Sequence, residues 1–93
     1  MSRPIKPRKL SFDPNVTYFK PRAVPLSILE EVDLGSDELE AIRLCDLEDL
    51  GQVKAAQKMK ISQPTFARTL ESAQKKVAQA IIKGKAIRIE AKK

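Results

Sequence analysis

Gln63, Pro64, Thr65, Arg68 and Thr69 are the side chains of this 93-residue chain whose types and spacing could do chemistry, and that chemistry is recognition. Gln63 can form two hydrogen bonds with an adenine edge. Arg68 can do the same with guanine O6 and N7, and Thr65 can offer a hydroxyl or lay its methyl on thymine. On a helix these positions lie off the apolar line of Phe66 and Leu70, so they face outward. Arg68 also has a plainer use, as the partner of Glu71 in a surface salt bridge. Lys54, Lys60 and Ser62 before this group, and Lys75 and Lys76 after it, suit phosphate oxygens, which position a protein on a duplex without specifying sequence.

Catalysis has no comparable foothold. The chain has no His and a single Cys, Cys45, so neither an acid–base pair nor a zinc site of the usual kind can be assembled. Gly35, Gly51 and Gly84 are scattered, which leaves no glycine-rich phosphate loop. The acidic residues of 30–49 read as a solvated face. The expectation is a binding protein that is not an enzyme and carries no metal or cofactor. One cysteine forms no internal disulfide, and no apolar run reaches the roughly 18 residues of a membrane span, so a cytoplasmic protein is expected.

The elements that must position the reading residues are two helices joined by a tight turn within residues 52–71. Two steeply crossing helices require a small residue at the fifth position of this unit, and Ala56 stands there. The ninth needs a residue tolerant of positive φ, for which glycine is usual; here it is Lys60, at a penalty on the order of 1 kcal/mol. The tenth and fifteenth should be apolar core residues, and they are Ile61 and Phe66. Ser62 is placed to cap the second helix of the unit, with Pro64 in its first turn. The apolar stripe Phe66, Leu70, Ala73, Val77 and Ile81 carries that helix to about Lys83, and Gly84 ends it.

Charge is segregated along the chain. Residues 1–22 carry a net +5, residues 23–50 a net −8 and residues 51–93 a net +9. Two basic segments around an acidic one suit a protein that turns one side towards a polyanion. Residues 1–25 hold five of the six prolines together with Arg3, Lys6, Arg8 and Lys9, and read as a basic, extended arm for phosphates or the minor groove. Phe12, Tyr18 and Phe19 either pin the segment after it to the domain or stack on bases. Residues 26–93 form the domain. A first helix begins near Ser36, its expected N-cap, with Ala41, Ile42, Leu44, Cys45 and Leu47 as its apolar stripe. Ile87 and Ile89 alternate with Arg88 and Glu90 as a short C-terminal strand, and Val32 with Leu34 supplies its partner, within one chain or between two.

The run from 38 to 76 resembles region 4 of sigma factors. Over nearly its whole length the chain is similar to the UPF0251 family of bacterial and archaeal proteins, through RPIKPRK at 3–9, TYFKP at 17–21, DELEAIRL at 37–44, ISQPTFARTLESAQKKVAQA at 61–80 and GKAIRIE at 84–90. The resemblance implies a DNA-binding helix-turn-helix and a regulatory role. Many relatives carry cysteines in the basic N-terminal stretch. This chain has Pro7 and Ser11 there, so no metal or redox role is carried over, and Lys60 replaces the usual turn glycine. The expectation is a mainly α protein, a three-helix helix-turn-helix domain with a basic extended N-terminal arm and a short C-terminal β-strand. It would bind double-stranded DNA sequence-specifically as a homodimeric transcriptional regulator. The alternative is a module that contacts RNA polymerase or another regulatory protein; RNA is a third partner that a basic arm would serve.

Overall fold

The computed structural model describes residues 17–90. The arm residues Arg3, Lys6, Arg8 and Lys9, and Phe12, lie outside them. The order of elements is β1 (Tyr18–Phe19), a 3-10 turn (Leu26–Ile28), β2 (Glu31–Gly35), α1 (Ser36–Ile42) continued by a π-helical turn (Arg43–Leu47), α2 (Gln52–Met59), α3 (Gln63–Lys83) and β3 (Ala86–Glu90). The domain is mainly helical, as the sequence predicts.

The C-terminal strand is the centre of a sheet rather than a lone element. Its order is β1–β3–β2, with β1 antiparallel and β2 parallel to β3. Val32 pairs with Ile87 and Leu34 with Ile89, so the two apolar alternations meet within one chain. A parallel pair needs a long crossover, and α1, α2 and α3 are that crossover. The opposite face of the sheet is charged: Arg88 bonds Asp33 at 3.1 Å and Glu90 at 3.3 Å.

The first helix starts differently from its sequence expectation. Gly35 occupies the N-cap and Ser36 is already helical and buried. The Gly35 N–H donates to Glu38 Oε1 at 2.8 Å, so the acid three residues on does the capping. Leu47, expected on the apolar stripe, is exposed, because the π-helical turn rotates it off the line of Ala41 and Leu44. Likewise the α3 stripe ends on Ala80 and not on Ile81. At 3.6 residues per turn Ala80 stays above Phe66 and Ala73, while Ile81 swings outward.

The core joins all three helices. Phe66 is fully buried among Ala41, Leu44, Ala55, Ala56 and Leu70, with Ile42, Cys45, Leu50, Met59 and Ile61 around it. The alanines let α2 come close enough to α3 for one ring to fill the gap. Burial of Cys45, reinforced by Asp46, pushes its thiol above the usual range.

Candidate nucleic-acid interface

The α2–α3 turn is built from backbone. Lys60 takes φ 61° and ψ 41°, the left-handed conformation expected at that position. Its N–H donates to Gln57 O and the Ile61 N–H donates to Ala56 O, both at 3.1 Å. This pair of bonds is a Schellman closure, which satisfies two of the last carbonyls of α2. Ser62 then caps α3, its Oγ accepting from the Thr65 N–H at 3.2 Å.

Two rows of α3 meet different surroundings. Pro64, Arg68, Glu71 and Lys75, spaced four, three and four apart, form an exposed outward row. Gln63 is exposed beside it, and Lys54, Lys58 and Lys60 on or just after α2 are exposed as well. Among the described residues Arg68 has no carboxylate partner; its Nη2 lies 3.5 Å from Thr65 Oγ1.

The neighbouring row, Thr65, Thr69, Ser72 and Lys76, is half-buried and engaged by the protein itself. Thr65 Oγ1 accepts from Ser62 Oγ at 2.9 Å, and the Thr69 hydroxyl donates to Thr65 O at 2.9 Å. Ser72 Oγ donates to Glu38 Oε2. Lys76 Nζ reaches Glu38 Oε1 at 2.9 Å and Asp33 O at 2.7 Å. Thr69 and Lys76, expected at bases and phosphates, thus have partners within the protein. The Thr69 donor is used within α3, Lys76 ties α3 to Glu38 and Asp33, and the Ser62 hydroxyl is engaged at the cap.

Glu38 is the residue sequence reasoning undervalued. It receives the Gly35 N–H, Ser72 and Lys76, and so ties the start of α1 to the middle of α3. Burial would raise its pKa, but the hydrogen bonds from Ser72, Gly35 and Lys76 outweigh that and hold the carboxyl below its ordinary value. The signal was in the spacing: an acid three residues after a glycine that precedes a helix.

Glu40 corrects the expectation of a solvated acidic face, since only 5% of it is exposed. Arg43 Nε and Nη2 grip both its oxygens at 3.0 Å, and Arg43 Nη1 reaches Glu48 at 3.0 Å. Hydrogen bonding to Glu40, against the opposing effect of burial, raises the Arg43 pKa. This fork ties α1 to its own π-helical turn.

A cleft of about 500 Å³ runs beside Arg68, lined by Gly35, Asp37, Glu38, Thr69, Ser72 and Glu90. Thr17, the first described residue, accepts a hydrogen bond from the Ile89 N–H at 2.9 Å. Thr17 thus extends the pairing of β1 along β3.

These features define a small, mainly helical domain with a three-stranded mixed sheet and one exposed, largely basic helical surface. The model of the family described as "Protein of unknown function DUF134" matches residues 1–92. A UPF0251 protein of Caldanaerobacter subterraneus is 58% identical over 97% of this chain and 76% of its own length. UPF0251 proteins of Thermoanaerobacter pseudethanolicus and Dehalococcoides mccartyi are 57% and 56% identical, over 97% of this chain and 76% and 77% of theirs. The chain belongs to this family, UPF0251. No solved structure matches it. Among the described residues no helix is long and apolar enough to cross a membrane.

Proposed function

We propose that residues 52–71 are a DNA-reading helix-turn-helix and that the protein is a sequence-specific, double-stranded DNA-binding transcriptional regulator. The observation that carries this reading is the left-handed Lys60 between two helices that close on Phe66 and Ala56. That geometry leaves Gln63, Pro64 and Arg68 exposed on the outer face of α3. Gln63 and Arg68 are the base-reading residues, with Pro64 packed on the groove wall. Lys54, Lys60 and Lys75 serve phosphates, and Lys58 joins them. The basic N-terminal arm adds contacts to phosphates or the minor groove.

Selection of bound sites from random duplexes with the full chain tests the reading. A recovered motif should show an affinity that falls with salt at a log–log slope of about −5, for some six neutralised phosphates. Arg68→Ala should cost about 1–3 kcal/mol on that motif and relax the choice at one base pair. No recovered motif, a shallow slope and retention of RNA polymerase would instead favour a sigma-region-4-like interaction module.

A further inference from the structure

Glu71 is the only acidic residue of α3, in a helix that also carries Arg68, Lys75, Lys76 and Lys83. It stands in the exposed row of Pro64, Arg68 and Lys75. Three residues past Arg68, it shares that residue's face and lies about 4.5 Å further along the helix axis.

The ordinary use of such a glutamate is an ion pair along the helix. Lys75 follows it at the favoured spacing of four, and Arg68 precedes it by three. Glu71 makes neither pair: among the described residues its carboxylate has no ion-pair or hydrogen-bond partner. A surface that only attracted phosphates would be better served by a neutral side chain here, because a carboxylate facing a duplex meets the same negative charge.

A carboxylate suits the major groove where a base offers it a proton. Cytosine presents its N4 amino group there and no acceptor of its own. Adenine sets the N7 acceptor beside its N6 donor, and guanine and thymine offer acceptors only. We propose that Glu71 is a specificity-determining residue that accepts a hydrogen bond from cytosine N4. Base pairs stack at ~3.4 Å, so that cytosine lies within about two base pairs of the guanine that Arg68 reads. The inference rests on the helix-turn-helix reading of residues 52–71. It adds a contact that favours one base and also penalises the other three and unrelated duplex.

Site selection from random duplexes, followed by affinity measurements with the full chain, tests the proposal. The wild-type motif should contain the cytosine, and replacing it should weaken binding by about tenfold or more. In Glu71→Ala the same replacement should change affinity by about twofold or less, while the preference for guanine persists and unrelated duplex binds more tightly. Glu71→Gln should move the preference to adenine, which glutamine bonds through N6 and N7. Glu71 is exposed, so neither variant should alter melting. Asp49→Asn removes the same charge outside α3, at a left-handed residue (φ 64°) where asparagine is tolerated, and should leave the motif as it is. An unaltered motif in Glu71→Ala, or the same change of motif in Asp49→Asn, would overturn the proposal. A position lost with Arg68→Ala but none with Glu71→Ala overturns this contact alone. No motif from the wild type overturns the helix-turn-helix reading with it.

Discussion

The two ends of α3 are packed on different terms. At the N-terminal end one aromatic ring, Phe66, is sealed by alanines from α1 and α2, and the outside is polar and basic. At the C-terminal end the buried contacts come from Ala73, Ala80, Leu34 and Ala86, while the larger isoleucines 81 and 82 lie outside. Where large apolar residues are inside, the surface is left to polar side chains that could meet a polyanion. Where they are outside, the burial is incomplete within one chain. The same helix is seated at one end and open at the other.

The largest expected effect tests the sealed end. Phe66→Ala removes the only large side chain that is fully buried among the described residues. It should cost about 3–5 kcal/mol, because its alanine neighbours cannot collapse to fill the void. Ile82→Ser, on the same helix, should stay within about 0.5 kcal/mol at concentrations where the chain is monomeric. Urea denaturation of both variants measures the contrast; equal losses would mean that the two ends are not packed differently.

Glu38 separates the ends in a second way, since it fastens the middle of α3 to α1. Glu38→Ala leaves Ser72 and Lys76 without their carboxylate and should cost about 1.5–3 kcal/mol. The same site makes stability depend on pH. Its folded pKa lies below the ordinary glutamate value, so the contribution is complete above that value and is lost as pH falls through the folded pKa. Melting temperatures taken from neutral to strongly acidic pH should fall in that window, and Glu38→Gln should flatten this part of the profile. An unchanged acid limb in the variant would place the linkage elsewhere.

How far these features are legible in the sequence depends on the range of the interactions involved. The α2–α3 turn is local, and Ala56, Lys60, Ile61 and Phe66 define it by spacing alone. The partnership of Val32 and Leu34 with Ile87 and Ile89 is also readable, because a short strand must have a mate. Its parallel sense emerges only from the path of three intervening helices. Glu40 is the opposite case: at its position in an acidic run it looks solvated, although only 5% of it is exposed. Yet Arg43 is the only cation in residues 23–50, three residues from Glu40, and that spacing could have flagged the pair. Thr69 and Lys76 differ in the same way, one with a local partner and one with distant ones. Thr69 bonds the carbonyl of Thr65 one turn back on its own helix, which spacing allows, whereas only the docking of Glu38 and Asp33 gives Lys76 its partners. Ile81 shows how one residue of drift over four turns moves a side chain from core to surface.

The smallest expected effect joins the turn to the proposed interface at one residue. Lys60 holds a left-handed conformation that glycine adopts without strain, so Lys60→Gly should stabilise the fold by up to about 1 kcal/mol. For a domain of this size that corresponds to a rise in Tm of about 4–8 °C. Lysine at a strained position, exposed beside the start of α3, makes sense if its charge is used there. Lys60→Gly should then weaken binding to a selected duplex and reduce the salt slope by about one, as expected for a lost phosphate contact. Lys60→Asn separates the two roles. Asparagine tolerates the left-handed region but lacks the charge, so it should keep part of the stability gain and show the full loss of slope. A more stable Lys60→Gly variant with undiminished affinity and slope would leave the turn geometry intact and remove Lys60 from the contact surface.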